Sequence, residues 1–190
     1  GACCVAVLPI VRMGNPVLRR VAEPVALPVK GGFDDDLRQL AADMVDTMLD
    51  APGIGLAAPQ IDVGRRIIVF RVPPERATGD GGDAPMGPQV LINPEFVPVG
   101  VETVLGWEGC LSIPGLRGVV PRYRRIRYRG YDLDGNLVER EAANTHARVI
   151  QHELDHLDAI LYLDRMESMA TLTYMEEQKF FGPDVLSRSR

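Results

Sequence analysis

Cysteine is scarce in this chain of 190 residues: there are three, and two of them are adjacent as Cys3-Cys4, so Cys110 is the one interior thiol. An odd count with neighbouring thiols does not read as a disulfide framework and points to a reducing compartment. No apolar run approaches the ~20 residues a membrane helix requires. The stretch Ala2 to Leu8 is too brief for an export signal and lacks its basic flank and cleavage site. No initiator Met is present, so this end reads as trimmed. Positive charge is not in excess: the formal net charge is -5, which argues against a nucleic-acid-binding surface over the whole molecule. There is no internal repeat and no sign of a second domain. The glycine-rich stretch after Pro52 contains neither G-x-x-x-x-G-K nor G-x-G-x-x-G, so it is not a phosphate-binding loop. What is present is ordinary globular usage, 46% hydrophobic and 25% charged. The length fits one domain, residues 1–190, able to bury about 70% of its extended-chain surface.

Histidine is also rare, and two of the three occur in His152-Glu153-Leu154-Asp155-His156. Residues i and i+4 share a helix face, so both imidazoles can reach one metal ion. Glu153 is held beside that ion without needing to ligate it, the H-E-x-x-H arrangement in which glutamate is general base to a metal-bound water. The plain alternative is two partly buried histidines on an amphipathic helix with Glu153 solvated. A hydrolytic site needs a third protein ligand, and two residues qualify. Cys110, in Glu108-Gly109-Cys110-Leu111-Ser112, could equally be a small buried hydrophobe. Glu176 stands 20 residues after His156, about the thermolysin-like spacing, but lies in a polar stretch that reads as a solvated helix face. The metzincin pattern is excluded, because Ala159 and Tyr162 stand where it wants Gly and His.

Patterning gives an α+β order. Asp34 can cap a helix whose apolar positions Leu37, Leu40, Ala41, Met44, Val45, Met48 and Leu49 follow the helical period, ended by Pro52-Gly53. The glycine-rich stretch is then a loop entering a strand Ile67 to Phe70, and Pro73 to Pro88 reads as a flexible surface loop. Strands are expected at Gln89 to Ile92, Glu95 to Val99, Arg117 to Val120, Ile126 to Tyr131 and Leu137 to Glu141, with Asp134-Gly135 as a hairpin turn. The histidine helix is expected from about Asn144 to Asp158. Ile150, Leu154, Leu157 and Leu161 would pack into the sheet, leaving Val149, His152 and His156 facing a cleft. A last helix is expected over Met166 to Phe180. Arg122, Arg124, Arg125, Arg127 and Arg129 recur through a strand-like segment and read as a solvated face, the alternative being docking near ribosomal RNA.

Gly53-Ile54-Gly55-Leu56-Ala57-Ala58-Pro59-Gln60, Glu108-Gly109-Cys110-Leu111-Ser112 and Gln151-His152-Glu153-Leu154-Asp155-His156 occur in that order, and in all three the chain resembles peptide deformylases. Each motif alone is weak or moderate; the ordered set is specific. The likeness runs from about residue 9 to 166, through Gly14-Asn15-Pro16-Val17-Leu18-Arg19, Ile92-Asn93-Pro94 and Pro121-Arg122-Tyr123. It implies antiparallel or mixed sheets packed around a central helix that carries the metal motif, with an N-terminal and a C-terminal helix.

The resemblance also implies the chemistry. Cys110, His152 and His156 would hold one divalent ion, leaving a fourth position for water. A thiolate with a divalent ion gives a site of charge +1, which acidifies that water. Glu153 would be general base and acid in the removal of the formyl group from N-formylmethionyl polypeptides, releasing formate. Gln60 and the backbone N–H of Leu111 would donate to the oxyanion. Gly55 and Gly109 would flank the substrate, Ile54, Glu108, Val149 and the ring of His152 would lie near the methionine side chain, and Arg117 would stand near the substrate path. By itself Gln60 would read as a turn residue, Arg117 as a surface ion pair, and Trp107 as either cleft rim or core. Ferrous iron is implied in the cell, with zinc, nickel or cobalt accommodated by the same ligands on isolation. Formylated N-termini imply a bacterial cytoplasm, preferred here because no transit-like leader is visible, or an organelle. The partners are then nascent polypeptides and transiently the ribosome, with no stable nucleic-acid binding and no membrane. The rivals are a thermolysin-like protease using Glu176 and a noncatalytic structural-zinc module.

Overall fold

The computed structural model describes residues 6–187, so Cys3-Cys4 and most of the Ala2 to Leu8 stretch lie outside the described residues. Asp34 caps helix α1, Asp35–Asp50, by accepting from the Leu37 amide at 2.9 Å, with Asp35 and Asp36 favourably placed in the first turn. A five-stranded antiparallel sheet follows from β1 (Gly55–Ala57), β2 (Ile67–Val72), β3 (Met86–Pro98), β6 (Arg125–Tyr131) and β7 (Leu137–Ala143), in the order β1-β2-β3-β6-β7. A second sheet holds β4 (Thr103–Cys110), β5 (Ile113–Tyr123) and the short β8 (Thr173–Tyr174). Helix α2, Asn144–Leu157, bears both histidines of the pentapeptide, and a single-turn helix α3 spans Tyr162–Arg165. Among the described residues no helix is long and apolar enough to cross a membrane.

The apolar run in β2 is explained by burial on both faces. Ile68 and Phe70 point to α2, where Ala147, Val149, Ile150, Leu154 and Leu157 meet them. The alternate residues Ile67 and Val69 point the other way, to Leu37, Met44 and Met48 of α1. The sheet is thus sandwiched between the two helices, and α2 sits where both sheets can reach it. Leu161 lies past the end of α2 and packs instead with Val17, Leu18 and Ile113.

Several expectations change. The glycine-rich stretch is not simply a loop: Gly55, Leu56 and Ala57 pair with Phe70, Val69 and Ile68, after which Ala58–Ile61 makes a 3-10 turn. The expected strands at 89–92 and 95–99 are one strand with a bulge. Pro94 has no amide to donate, and Asn93 takes a left-handed φ of 50° while its side chain bonds both the N–H and the carbonyl of Val25. Strand β4 was not anticipated. The 73–88 stretch is not a free loop, since Met86 to Pro88 belong to β3 and Asp83 is buried, accepting from the Thr78 amide and hydroxyl and from the His146 amide.

The C-terminal helix expected over Met166 to Phe180 is absent. That segment makes 3-10 turns at Met169–Thr171 and Met175–Phe180 around β8. Met169, Tyr174, Met175 and Phe180 stay exposed, so a helix would bury no apolar face here. The open edge of β5 offers backbone partners instead: Tyr174 and Thr173 pair with Leu116 and Arg117, and the Val119 amide donates to the Thr171 hydroxyl.

Candidate active site

The cleft has a volume of about 590 Å³ and lies where β1, the β4–β5 hairpin and α2 converge. Its floor is the face of α2 carrying Val149, His152 and Glu153, and its walls include Ile54 and Gly55 on one side and Gly109, Cys110 and Leu111 on the other. Gln60, Glu108, Trp107 and Arg117 also border it. Every expected site residue except His156 therefore lines one cavity. His156 lies one turn further along α2, almost fully buried behind His152.

Cys110, His152 and His156 offer ligand atoms that all lie within 4.8 Å of one another. Cys110 Sγ is 3.4 Å from His156 Nε2, and Cys110 is reduced. His152 uses Nδ1 toward Glu108 Oε1 at 2.8 Å, which leaves Nε2 for the centre of the group. His156 Nδ1 and Glu153 Oε2 are buried with no hydrogen-bond partner, although buried polar atoms are ordinarily satisfied. Glu176 is exposed on the Met175–Phe180 turn and takes no part in the group. The donor set, one soft thiolate and two imidazoles with an unsatisfied carboxylate beside them, fits a divalent transition ion.

Electrostatics sort the groups. Burial drives the His156 pKa well below the ordinary imidazole value, and the nearby His152 and Arg122 lower it further, so its ring is neutral. Burial works the same way on His152, but hydrogen bonds with Cys110 and Glu108 and the charge of Glu153 outweigh it and raise its pKa. Glu153, 3% exposed, is pushed up to about 7 chiefly by burial, against the opposing charge of His152.

Glu108 is the hub behind the histidines. Its carboxylate accepts four bonds: two from Arg122 at 2.9 Å, one from Arg148 at 2.8 Å and one from His152. Burial would raise its pKa, but Arg122 and His152 hold it well below the usual carboxylate range. Arg122 also donates to Asp155 at 2.6 Å, and Asp155 in turn accepts two bonds from Arg165. This corrects the solvated-face reading of Arg122, which is 5% exposed. Arg124, Arg125, Arg127 and Arg129 do lie on the surface, paired with Glu102, Asp80, Glu141 and Glu95. The chain turns at Arg124 between two sheets, so the alternation that holds through β6 does not extend back to Arg122.

Gln60 is almost completely buried. Its Oε1 accepts from the Ala57 amide at 2.9 Å, while Nε2 faces Ser112 Oγ at 3.1 Å and Cys110 Sγ at 3.5 Å. Trp107 is rim rather than core, and its ring meets Phe181 edge-on at 5.2 Å. Three cleft residues had no signal in the sequence. Arg76 and Met175 are brought to the cleft by segments that looked like a loop and a solvated helix, and Arg148 belongs to none of the motifs. The burial of Arg122 had one faint signal, its place in the Pro121-Arg122-Tyr123 motif.

Comparison with known proteins agrees with this geometry. The sequence model of the family described as polypeptide deformylase matches residues 7–171. Peptide deformylase 1 of Bordetella pertussis is 49% identical over 169 residues, covering 88% of this chain and 92% of the relative. A peptide deformylase of Thermomicrobium roseum is 45% identical over 174 residues, covering 92% and 94%. Among solved structures, a Met-Ala-Ser-bound class I type b peptide deformylase from Acinetobacter baumannii superposes with a TM-score of 0.76 at 36% identity, covering 85% of this chain and 99% of that one. The Thermotoga maritima peptide deformylase gives 0.73 at 36% identity with the same coverage. On three ordered motifs gathered into one cleft, a match over most of its length and relatives near half-identical, this chain belongs to the polypeptide deformylase family.

Proposed function

We propose that the chain works as one catalytic unit that removes the formyl group from N-formylmethionyl nascent polypeptides, releasing formate. The observation that carries this reading is the convergence of Cys110, His152 and His156 beside the unpartnered buried carboxylate of Glu153. Cys110 as thiolate, with His152 and His156 as neutral imidazoles, would hold one divalent ion, ferrous iron in the cell and zinc, nickel or cobalt on isolation. Bound there, such an ion would acidify a water and draw charge from the formyl oxygen.

The protein's own groups do the rest. Glu108, through His152 Nδ1, fixes the ring so that Nε2 stays available. Glu153 accepts the proton of the water that attacks the formyl carbon and returns it to the departing amine. Its burial, which favours the protonated form, suits it to take up that proton and hand it on. Gln60 Nε2 and the Leu111 N–H donate to the oxyanion as it forms, and Gln60 is held for this by the Ala57 amide on its other end. Ile54 and Val149 supply apolar contacts for the methionine side chain, Gly55 and Gly109 let the peptide backbone come close, and Glu108 and Arg117 border its path. The Acinetobacter baumannii relative carries bound Met-Ala-Ser, and a deformylated peptide of that kind is the product proposed here.

The rivals find little support. Glu176 is exposed and is not in the ligand group, which among the described residues contains three protein donors where a structural site would close with four. A bacterial cytoplasm is the proposed setting, with an organelle as the alternative, and bacterial relatives support the former. Ion pairing of the exposed arginines favours a solvated face over lasting contact with ribosomal RNA.

The test compares formyl-Met-Ala-Ser with acetyl-Met-Ala-Ser on the iron or nickel form. Formate release at least about a hundredfold faster than acetate release is expected, because an extra methyl overpacks a rigid site and each 1.36 kcal/mol is tenfold. Equal rates, or cleavage of internal peptide bonds, would overturn the assignment.

A further inference from the structure

Two guanidinium groups border the cleft, one from β5 and one from the segment after β2. Arg117 comes from β5, where its backbone is pinned by pairing with Thr173, and its side chain lies over Gly109, with Cγ and Nε 3.6 and 3.9 Å from where a Cβ on that glycine would stand. Arg76 comes from the segment after β2, where its carbonyl accepts from the Thr145 hydroxyl at 2.8 Å at the start of α2. Both residues line the same cavity. Among the described residues, neither side chain makes a hydrogen bond or an ion pair. This sets them apart from Arg148, which borders the same cleft but is committed to Glu108 and to the carbonyls of Val104 and Val120.

The two cations feel each other. After burial, Arg117 is the largest influence lowering the pKa of Arg76, ahead of the opposing effects of Glu75 and of Glu108 taken singly. Two like charges held at one cleft by separate backbone anchors, in a chain whose formal net charge is -5, leave a local field that an anion would relieve. Both arginines line the same cavity as Ile54, Val149 and Glu153, so a peptide whose methionine and formyl group are held there brings its following residues within reach of that rim. Guanidinium matches a carboxylate in shape as well as charge.

We propose that Arg76 and Arg117 form a carboxylate-reading mouth to the cleft, favouring formylmethionyl peptides with aspartate or glutamate among the residues just after the methionine. This rests on the deformylase reading of the cleft and adds a substrate preference to it. Arg76 is the specificity-determining member, because the family resemblance already puts Arg117 on the substrate path and assigns nothing to Arg76.

The experiment compares formyl-Met-Ala-Asp, formyl-Met-Ala-Asn and formyl-Met-Ala-Lys, all as C-terminal amides so that no terminal carboxylate competes, together with the glutamate series and peptides one residue longer. At low ionic strength kcat/KM should favour the acidic over the amide peptide by about three- to tenfold, with the lysine peptide slowest, and the ratio should shrink with added salt. Arg76→Gln should bring the ratio close to one, and Arg76→Glu should invert it toward lysine. Arg76 is exposed, so both variants should fold. Formyl-Met-Ala-Ser as acid and as amide separates capture of a terminal carboxylate from capture of a side chain: a rate advantage confined to the free acid overturns the side-chain preference. Equal rates on the acidic, amide and lysine peptides, or a preference that survives Arg76→Gln, overturn the proposal while leaving deformylation intact. No formate from any peptide would instead overturn the underlying assignment.

Discussion

The Cα of Gly55 lies against the carboxylate of Glu153: a Cβ built on Gly55 would stand 2.2 Å from Oε1 and 2.8 Å from Cγ. The glycine is therefore needed for the base as well as for an approaching peptide. Gly55→Ala should push Glu153 aside and lower kcat by at least about tenfold, since misplacing a catalytic group by about 1 Å can cost a hundredfold. Metal content should stay unchanged, as the atoms nearest to that Cβ all belong to Glu153. Unaltered kcat with full metal would mean that Glu153 has room the structure does not show.

Removing a ligand should act differently. Cys110→Ala, His152→Ala and His156→Ala should each strongly reduce bound metal per chain, whereas Glu176→Gln should leave metal and activity near wild type. Elemental analysis decides this, and full occupancy in Cys110→Ala would remove Cys110 from the ligand set.

Glu153→Gln keeps the side chain's size and discards its base. Metal should remain while the rate falls by about two to four orders of magnitude. Single-turnover measurements alongside metal analysis separate the outcomes: a retained rate makes Glu153 a bystander, and lost metal makes it a ligand.

Arg122→Met should be costly for stability. It would leave Glu108 and Asp155 buried without their shared partner, and breaking a buried ion pair by removing one member typically costs about 3–5 kcal/mol. Arg124→Ala, which removes an exposed ion pair, should cost less than about 1 kcal/mol. Urea unfolding of the two variants side by side tests the contrast, and similar midpoints would refute it.

His146 should make the fold sensitive to acid. Burial lowers its pKa, the carbonyl of Gly82 and the charge of Asp83 oppose that, and Arg140 adds to it. A folded-state pKa below the unfolded value of about 6.5 means that the unfolded chain binds the extra proton. The contribution of neutral His146 is thus fully present above that pH and lost as pH falls through the folded value. His146 stacks on Phe70 and bonds Tyr128 Oη at 2.9 Å, so the loss would be felt in the core. Unfolding midpoints measured from pH 7.5 down to 5 should fall less steeply for His146→Gln than for wild type; parallel slopes would exonerate the residue.

The helices were legible because their apolar periods are strong, and α1 and α2 lie within one residue of where the pattern puts them. Strand β2 was legible as a short apolar run. Strand β4 was not, because Gly106, Glu108 and Gly109 break its pattern, and its order comes from pairing with β5 across the Leu111-Ser112 turn. The C-terminal segment misled for a related reason: its residues suit a helix locally, but a sheet edge elsewhere in the chain claimed them. The three motifs contain the proposed ligands and base, whereas the groups that hold them were hidden. Arg122 is 14 residues from Glu108 and 33 from Asp155, and only folding shows that these charges share one dry interior.

That interior has one more consequence. Glu108, Arg122, Arg148 and Asp155 brace the histidine helix against β4 and β5 through the protein's own charges, with no contribution from an ion. Pairs of this kind hold the ligand-bearing face of α2 in place by themselves, so stripping the ion proposed here should leave the fold largely intact, unlike small domains that collapse only when zinc arrives. Stripping and reloading then become a matter of capture and escape through an already finished opening. One divalent ion should then be exchangeable for another without refolding, with supply and ligand preference deciding which is held.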